Sequence, residues 1–416
     1  MDNEQSLNRD IFDESAYVSH YPDVRRALEE GWMQSAWWHY EHHGRAEGRR
    51  AFIVDYHFDD DYYLRAYPAV LRELAAGVAA NPRDHYLRIG KARGFLPHYL
   101  GKRVDDAAGL QSPFGGLWPD LASGADLLAG KLETGRLTPQ QCKLVQQWMQ
   151  NGYVIMPGAI SESLVDRVVA DMDRAYAGRM QMLRFECHEL DEEGLISWQP
   201  GVQTHAAKAI DMHHFSPAAR EMMFADGISE FLELIFESKA FASQSLGFMR
   251  GSGQEGHQDS AYVPYTIPRQ FAASWIALED VTIGAGELFY YPGSHQFPDF
   301  LYNGRFKSIV EAERCGFAVD RVEVEQHVTS LQRRVKHMGL KKHVLEAKKG
   351  DVLIWHADLV HGGNPVSCDT TRKSFVTHYC PKRIAPLFSE HMSTDLYDHD
   401  GHILTTQHYA KADFVE

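Results

Sequence analysis

The chain has 416 residues, with 42 lysines and arginines against 57 aspartates and glutamates for a formal charge of −15, and this excess of anions argues against loose electrostatic binding to nucleic acid or an acidic lipid surface. Hydrophobic residues make up 44% and aromatics 12%, ample for a sizeable core in a chain too long for one ordinary domain. No apolar stretch is long enough to span a bilayer, the acidic start Met1-Asp2-Asn3-Glu4 lacks the build of a signal peptide, and five cysteines without metal-type spacing read as reduced thiols, so a folded, soluble, cytoplasmic protein is expected.

The first hundred residues carry an internal repeat. At a fixed offset of 46, Phe12, Asp13, Tyr17, Tyr21, Pro22, Val24, Gly31, His39, Tyr40, Gly44 and Gly48 recur as Phe58, Asp59, Tyr63, Tyr67, Pro68, Val70, Gly77, His85, Tyr86, Gly90 and Gly94. Each unit reads as three short helices, broken at the Tyr-Pro and at the central glycine. An all-α module is therefore expected over 1–98. Its functional reading is docking, through homo-oligomer formation or a protein partner, and its bland reading is a stabilising appendage. His39 and His85 are expected to pack or cap rather than bind metal.

Residues 99–134, with Pro113 and Pro119, are too apolar for a floating tether and are expected to be a linker packed on the core. The main domain is expected over 135–390, followed by a tail over 391–416. Between 159 and 240, helical runs at 161–177, 217–224 and 228–236 alternate with aromatic, histidine-rich connections. His188, His213 and His214 in those connections could meet a substrate, although a core or surface role is the ordinary reading.

The chemistry concentrates further on. His257-Gln258-Asp259 is followed about a hundred residues later by His361 and, eleven beyond that, by Arg372. Two imidazoles and one carboxylate are the set that holds non-haem Fe(II) on one face and leaves the opposite positions open. Side chains at i and i+2 share one face of a strand, so a His-x-Asp delivers two ligands from one short strand or strand end. Residues 348–351 read as a turn, 352–355 as a buried strand, and 361–365 as the loop that ends it, which sets His361 at a strand end. Arg372 and Ser374 then share a face of the next strand, and a guanidinium fork beside a hydroxyl suits capture of a carboxylate. The chain has 23 histidines, so a chance His-x-Asp is cheap, and His356-x-Asp358 is a second. Context favours the first pair: it follows the flexible Gly251-Ser252-Gly253-Gln254-Glu255-Gly256, whereas His356 and Asp358 would share a metal with a histidine a few residues away.

The order of His257-x-Asp259, Trp275-Ile-Ala-Leu-Glu-Asp280, Gly286-Glu-Leu-Phe-Tyr-Tyr-Pro-Gly-Ser-His295, Gly350-Asp-Val-Leu-Ile354, His361 and Arg372 resembles the phytanoyl-CoA dioxygenase family of Fe(II)/2-oxoglutarate oxygenases. Leu137-Thr-Pro-Gln-Gln141 and Asn151-Gly-Tyr-Val-Ile-Met-Pro-Gly158 are similar to that family's first helix and strand, and the likeness covers about 135–385. It implies an α+β protein whose core is a double-stranded β-helix of jelly-roll or cupin-like type with flanking helices. It also implies Fe(II) on His257, Asp259 and His361, 2-oxoglutarate with its distal carboxylate on Arg372, and O2 as the oxidant. Trp275, Gln244 and Arg250 fall near the family's co-substrate, with Arg standing where Lys is more usual. Gly363 stands where many members carry a serine that touches the co-substrate, so Ser374 is expected to supply that hydroxyl. Related halogenases have a small residue at the carboxylate position, so Asp259 points to hydroxylation or another oxidation.

The implied reaction is hydroxylation of a small molecule at an unactivated carbon, with release of succinate and CO2. Residues 321–342 are amphipathic at helical spacing and gather Arg333, Arg334, Lys336, Lys341 and Lys342, which as a lid could steer an anionic or carrier-linked substrate, the bland alternative being a solvated helix face. Tyr262 and Tyr265 are candidates for the substrate pocket. A catalytically silent relative that binds a ligand and recruits a partner is the rival reading; a metal-dependent epimerase or other cupin-like enzyme would have no use for the Arg372–Ser374 pair.

Overall fold

A computed structural model describes residue 12, residues 14–49, 69–90, 112–191, 194–304, 306–384 and 386, and residues 396–406. The chain divides into two compact units, one of residues 1–102 with 301–306 and 312–318, the other of residues 103–300, 307–311 and 319–416.

In the first unit, the described parts of the two repeats show the same pair of elements at the offset of 46. Helix Ala36–His39, capped by the Ser35 side chain, runs into a π-helical turn Tyr40–Gly44, and helix Pro82–His85, capped by Asn81, runs into Tyr86–Gly90. Gly44 is fixed by space, since a Cβ there would collide with the Tyr17 hydroxyl. His39 is buried with Nδ1 3.1 Å from that hydroxyl, and His85 lies 2.9 Å from Glu73. Of the repeat positions, Asp13, Phe58, Asp59, Tyr63, Tyr67, Pro68 and Gly94 lie outside the described residues.

The second unit is built on an antiparallel sheet. Its strands are β1 (Tyr153–Met156), β2 (Arg184–Glu186), β3 (Leu195–Ser197), β4 (Lys208–Ile210), β5 (Ala240–Phe248), β6 (Ala272–Ala277), β7 (Leu288–Tyr290), β8 (His343–Val344), β9 (Val352–His356), β10 (His361–Gly363), β11 (Ser374–Pro381), β12 (Tyr397–His399) and β13 (His402–Leu404). The larger sheet runs β1-β9-β6-β11-β5-β4-β2-β3, and a small sheet runs β10-β7-β8. Central strands have both faces covered, so they read as unbroken apolar runs, and alternation decides which core each side chain enters. Val352 and Ile354 of β9, Ile276 of β6 and Phe375 of β11 pack in the core shared with the helices. Leu353, Trp355, Trp275 and Val376 turn the other way and, with Leu288 and Tyr290 of the small sheet, form a second core. The site opens beside that second core.

The helices that cover the first core are fixed by local signals. Helix Pro139–Asn151 starts at a reciprocal Thr138–Gln141 capping box and ends at Gly152 in the left-handed conformation (φ 78°), burying Cys142, Val145 and Trp148. Helix Glu162–Tyr176, capped by Ser161, buries Leu164, Val165, Val168 and Met172.

One expectation needs correction. The stretch 391–416 is no mere tail: over its described residues β12 and β13 form a hairpin, and β13 adds to β5 in parallel. Within 99–134, residues 124–133 form a helix, and Leu128 packs against Cys142 and Val145.

Candidate functional site

His257 and His361 are cross-strand partners in an isolated antiparallel bridge, each donating its backbone N–H to the other's carbonyl at 2.9 and 3.0 Å. Their rings lie 4.5 Å apart between centroids. The expectation that His257 and Asp259 share a strand is only half met, because Asp259 opens a 3-10 turn, Asp259–Ala261, directly after the bridge. That turn swings the carboxylate back, so that Oδ1 lies 3.6 Å from Nε2 of His257 and 3.6 Å from Nε2 of His361. One donor atom from each of the three falls within 4.8 Å of the others, the one group of three or more such residues among those described that could hold a metal ion.

The tautomers follow from the neighbours. Nδ1 of His257 lies 2.8 Å from the Glu255 carbonyl oxygen and Nδ1 of His361 lies 2.9 Å from that of Leu359. A carbonyl only accepts, so each Nδ1 carries a proton and Nε2 is the nitrogen that faces Asp259. Burial lowers the His361 pKa to about 4, which keeps the ring in the neutral form a metal requires. Burial alone would raise the Asp259 carboxyl, but the imidazoles of His361, His257 and His378 hold it well below the usual carboxylate range.

These three residues open onto a cavity of about 530 Å³, its mouth included. Arg372 lines the same cavity, 3% exposed, with Trp275 and Phe248 beneath its guanidinium at 5.6 and 5.9 Å. One Nη donates to the Gly286 carbonyl at 2.7 Å, Nε has no hydrogen-bond partner, and no described carboxylate lies within ion-pair distance. Burial pulls its pKa down to about 10, against the pull of Glu287, so it stays a cation at neutral pH. A buried cation without a carboxylate, aimed into a cavity, is a receptor for an anion.

Among the other candidates, Trp275 lines the cavity. Ser374 does not: it shares a strand face with Val376 and His378, which do, but sits in register between Phe248 and Ala277, buried, with Oγ unpartnered. Gln244 is on the cavity face of β5 beyond the lining residues, opposite His378. Arg250 is spent elsewhere, paired with Asp369 at 2.8 Å and donating to the Gln203 carbonyl. Tyr262 stands edge-on to His257 with centroids 5.7 Å apart, whereas Tyr265 is a core residue bonded to Ser243 at 2.6 Å. His213 is buried against Ser245 and the Thr405 carbonyl, and neither His188 nor His214 lines the cavity. The second pair, His356 and Asp358, belongs to buried ion networks: His356 faces Asp120 at 3.3 Å, and Asp358 binds Arg269 at 2.5 Å and Lys307 at 3.1 Å. No residue of 321–342 lines the cavity; helix Arg321–His337 instead packs Leu331 against Val360 and Phe297.

Lys208, Ser252, Trp355 and His378 are among the lining residues that sequence reasoning missed. His378 was within reach, being at i+4 from Ser374 on the same face of β11, with Arg372 two residues ahead of the strand. Ser252 explains the glycine at 363, because a Cβ there would lie 3.2 Å from Ser252 Oγ and 3.1 Å from the Gly253 nitrogen. The hydroxyl at this wall comes from Ser252 rather than from Ser374.

The family model described as phytanoyl-CoA dioxygenase (PhyH) matches residues 148–374, more than half of the chain. The chain belongs to the phytanoyl-CoA dioxygenase family. Iron and 2-oxoglutarate are the cofactors of this family, and the donor set fits both: two imidazoles and a carboxylate for the metal, a buried guanidinium for the co-substrate. Phytanoyl-CoA dioxygenase 1 of Oryza sativa subsp. japonica is 28% identical over 155 residues, 36% of this chain and 48% of the relative. Phytanoyl-CoA dioxygenase of Arabidopsis thaliana is 24% identical over 172 residues, 40% of this chain and 54% of the relative. The chain spans about half the length of these curated relatives. Among solved structures, the non-heme alpha-ketoglutarate-dependent carbocyclase SnoK from nogalamycin biosynthesis is 18% identical with a TM-score of 0.46, covering 61% of this chain and 87% of its own. EctD from S. alaskensis, solved with 2-oxoglutarate and 5-hydroxyectoine, is 15% identical with a TM-score of 0.41, covering 59% and 76%. At such scores these likenesses decide nothing about the reaction. Among the described residues, no helix is long and apolar enough to cross a membrane.

Proposed function

We propose that the chain is an Fe(II)- and 2-oxoglutarate-dependent dioxygenase that hydroxylates a small molecule at an unactivated carbon. The observation that carries this reading is that the buried His257–Asp259–His361 cluster and the buried, carboxylate-free Arg372 share one cavity. The triad would hold iron, and Arg372 would receive the distal carboxylate of the co-substrate, while Lys208 on the same wall is paired with Glu186. Together the two cofactors supply activation of dioxygen, with 2-oxoglutarate oxidised to succinate and CO2. The protein's part is orientation and exclusion of water. The carbonyls of Glu255 and Leu359 fix the imidazole rings, while Leu246, Phe248, Leu288, Trp275 and Val376 keep the wall apolar. Ser252, Gln254, Gly362 and Gly363 form the polar side where substrate is expected.

An anionic or carrier-linked substrate is supported only by charge: Lys342 lies 2.6 Å from Asn364, close behind the Gly362–Gly363 wall. Docking through the repeats is supported by Trp32 and Val78, equivalent at the offset of 46 and exposed at 74% and 38%. The rival reading, a silent ligand-binding relative, would leave the buried His257–Asp259–His361 cluster without a use. Succinate formation separates the two. With Fe(II), 2-oxoglutarate and air, the wild-type protein is expected to form succinate slowly even without a primary substrate, and His361→Ala to form none. A wild-type protein that binds Fe(II) at the triad and forms no succinate with or without candidate substrates would favour the silent relative.

A further inference from the structure

We infer that Trp355 is a positioning residue that restricts Asp259 to metal ligation through a single oxygen. This rests on the triad being the metal site. The two carboxylate oxygens of Asp259 face different neighbours. Oδ1 is the atom equidistant from both ligand imidazoles, at 3.6 Å from each Nε2. Oδ2 accepts a hydrogen bond from the Trp355 indole N–H at 2.8 Å and faces His378 Nε2 at 3.6 Å.

The indole is well suited to hold that division. It only donates, so swinging Oδ2 off the indole toward the metal would leave the N–H unpaired in a buried place, and the bond holds that oxygen on the indole's side. It cannot follow the carboxylate, because Trp355 is 2% exposed and locked in register between Tyr153 of β1 and Ala273 of β6. The same ring packs on His361 with centroids 4.7 Å apart, so one side chain touches two of the three ligands. Asp259 needs such a support, since it sits on a single 3-10 turn rather than in a sheet. Single-oxygen ligation matters because a carboxylate bound through both oxygens would occupy a position that the keto acid or dioxygen requires. His378 closes the other approach to Oδ2 from the face of β11 that it shares with Val376.

The test uses Co(II) in place of iron and reads binding and spectrum rather than turnover. Trp355→Phe keeps the ring and removes the donor; it is expected to fold, to bind Co(II) about tenfold more weakly, and to change the visible Co(II) spectrum, while Trp355→Tyr, which restores a donor, recovers part of both. Equal Co(II) affinity and spectrum in wild type and Trp355→Phe would overturn the inference. Should Trp355→Phe fail to fold, infrared difference spectra of the wild-type protein with isotope-labelled aspartate still decide: a carboxylate stretch splitting of the single-oxygen type on adding Co(II) is expected, and one of the two-oxygen type overturns it. His257→Ala separates the premises. If wild type binds Co(II), His257→Ala does not, and Trp355→Phe is unchanged, the positioning role alone fails; if His257→Ala binds as well as wild type, the triad reading fails and the inference with it.

Discussion

At the scale of single residues, Arg372 makes the sharpest demand. Its guanidinium is buried and lacks a carboxylate, so its fork has a directional task that an ammonium cannot repeat. Arg372→Lys is expected to weaken 2-oxoglutarate binding ten- to a hundredfold, on the order of 1.5–3 kcal/mol for a lost charge-assisted bond, and Arg372→Ala more, as read by calorimetry with a redox-silent metal. Unchanged affinity in both would remove Arg372 from the co-substrate site. The triad and this arginine are legible from sequence because ligand chemistry restricts residue type and strand periodicity restricts spacing. Lys208 and Ser252 are not, because β4 joins the cavity through pairing with β5, and the Ser252 loop reaches Gly363 through a contact more than a hundred residues distant. Ser374 misleads for the same reason: its strand face is right, but it lies buried in register between Phe248 and Ala277, outside the cavity lining.

At the scale of elements, the segment just before β10 and the turn that bears Asp259 are tied by buried charge. Asp358, three residues before His361, is bound by Arg269 and Lys307 and by the Ser260 hydroxyl, while its backbone carbonyl accepts from Gln258 at 2.7 Å. Gln258 and Ser260 flank Asp259, so the network anchors both ligand-bearing segments. Removing one partner of a buried pair leaves uncompensated charge, and Asp358→Ala is expected to cost about 3–5 kcal/mol in denaturant unfolding; a loss below about 1 kcal/mol would mean the network is solvated. A second device is His213, which joins Ser245 of β5 to the Thr405 carbonyl just after β13. Burial depresses its pKa from 6.5 to about 3. The unfolded chain therefore binds a proton that the folded chain refuses between those values, and stability is expected to fall as pH drops from about 6.5 toward 3. His213→Gln should flatten part of that slope in pH-dependent melts, and an unchanged slope would exclude His213 as a contributor.

At the scale of the whole molecule, every residue that lines the cavity belongs to the second unit. Deleting residues 1–102 removes none of them, so metal and 2-oxoglutarate binding are expected to survive. The deletion also strips 301–306 and 312–318 of the rest of their unit, where Tyr302, Phe306 and Phe317 are buried, so the truncated chain is expected to melt at a lower temperature and, if the repeats dock, to run at a smaller assembly state. Loss of metal binding in a folded truncation would contradict the separation of roles. The repeat is visible in sequence through its exact offset, while the membership of 301–306 and 312–318 in the same unit is not, because it depends on proximity of segments about two hundred residues apart. The most direct test of the central claim is an anaerobic titration of Fe(II) and 2-oxoglutarate followed by visible absorption. The account predicts a metal-to-ligand charge-transfer band in the wild-type protein that is absent in His361→Ala and needs far more 2-oxoglutarate in Arg372→Ala; a wild-type protein without the band, or a His361→Ala variant that keeps it, would contradict the account.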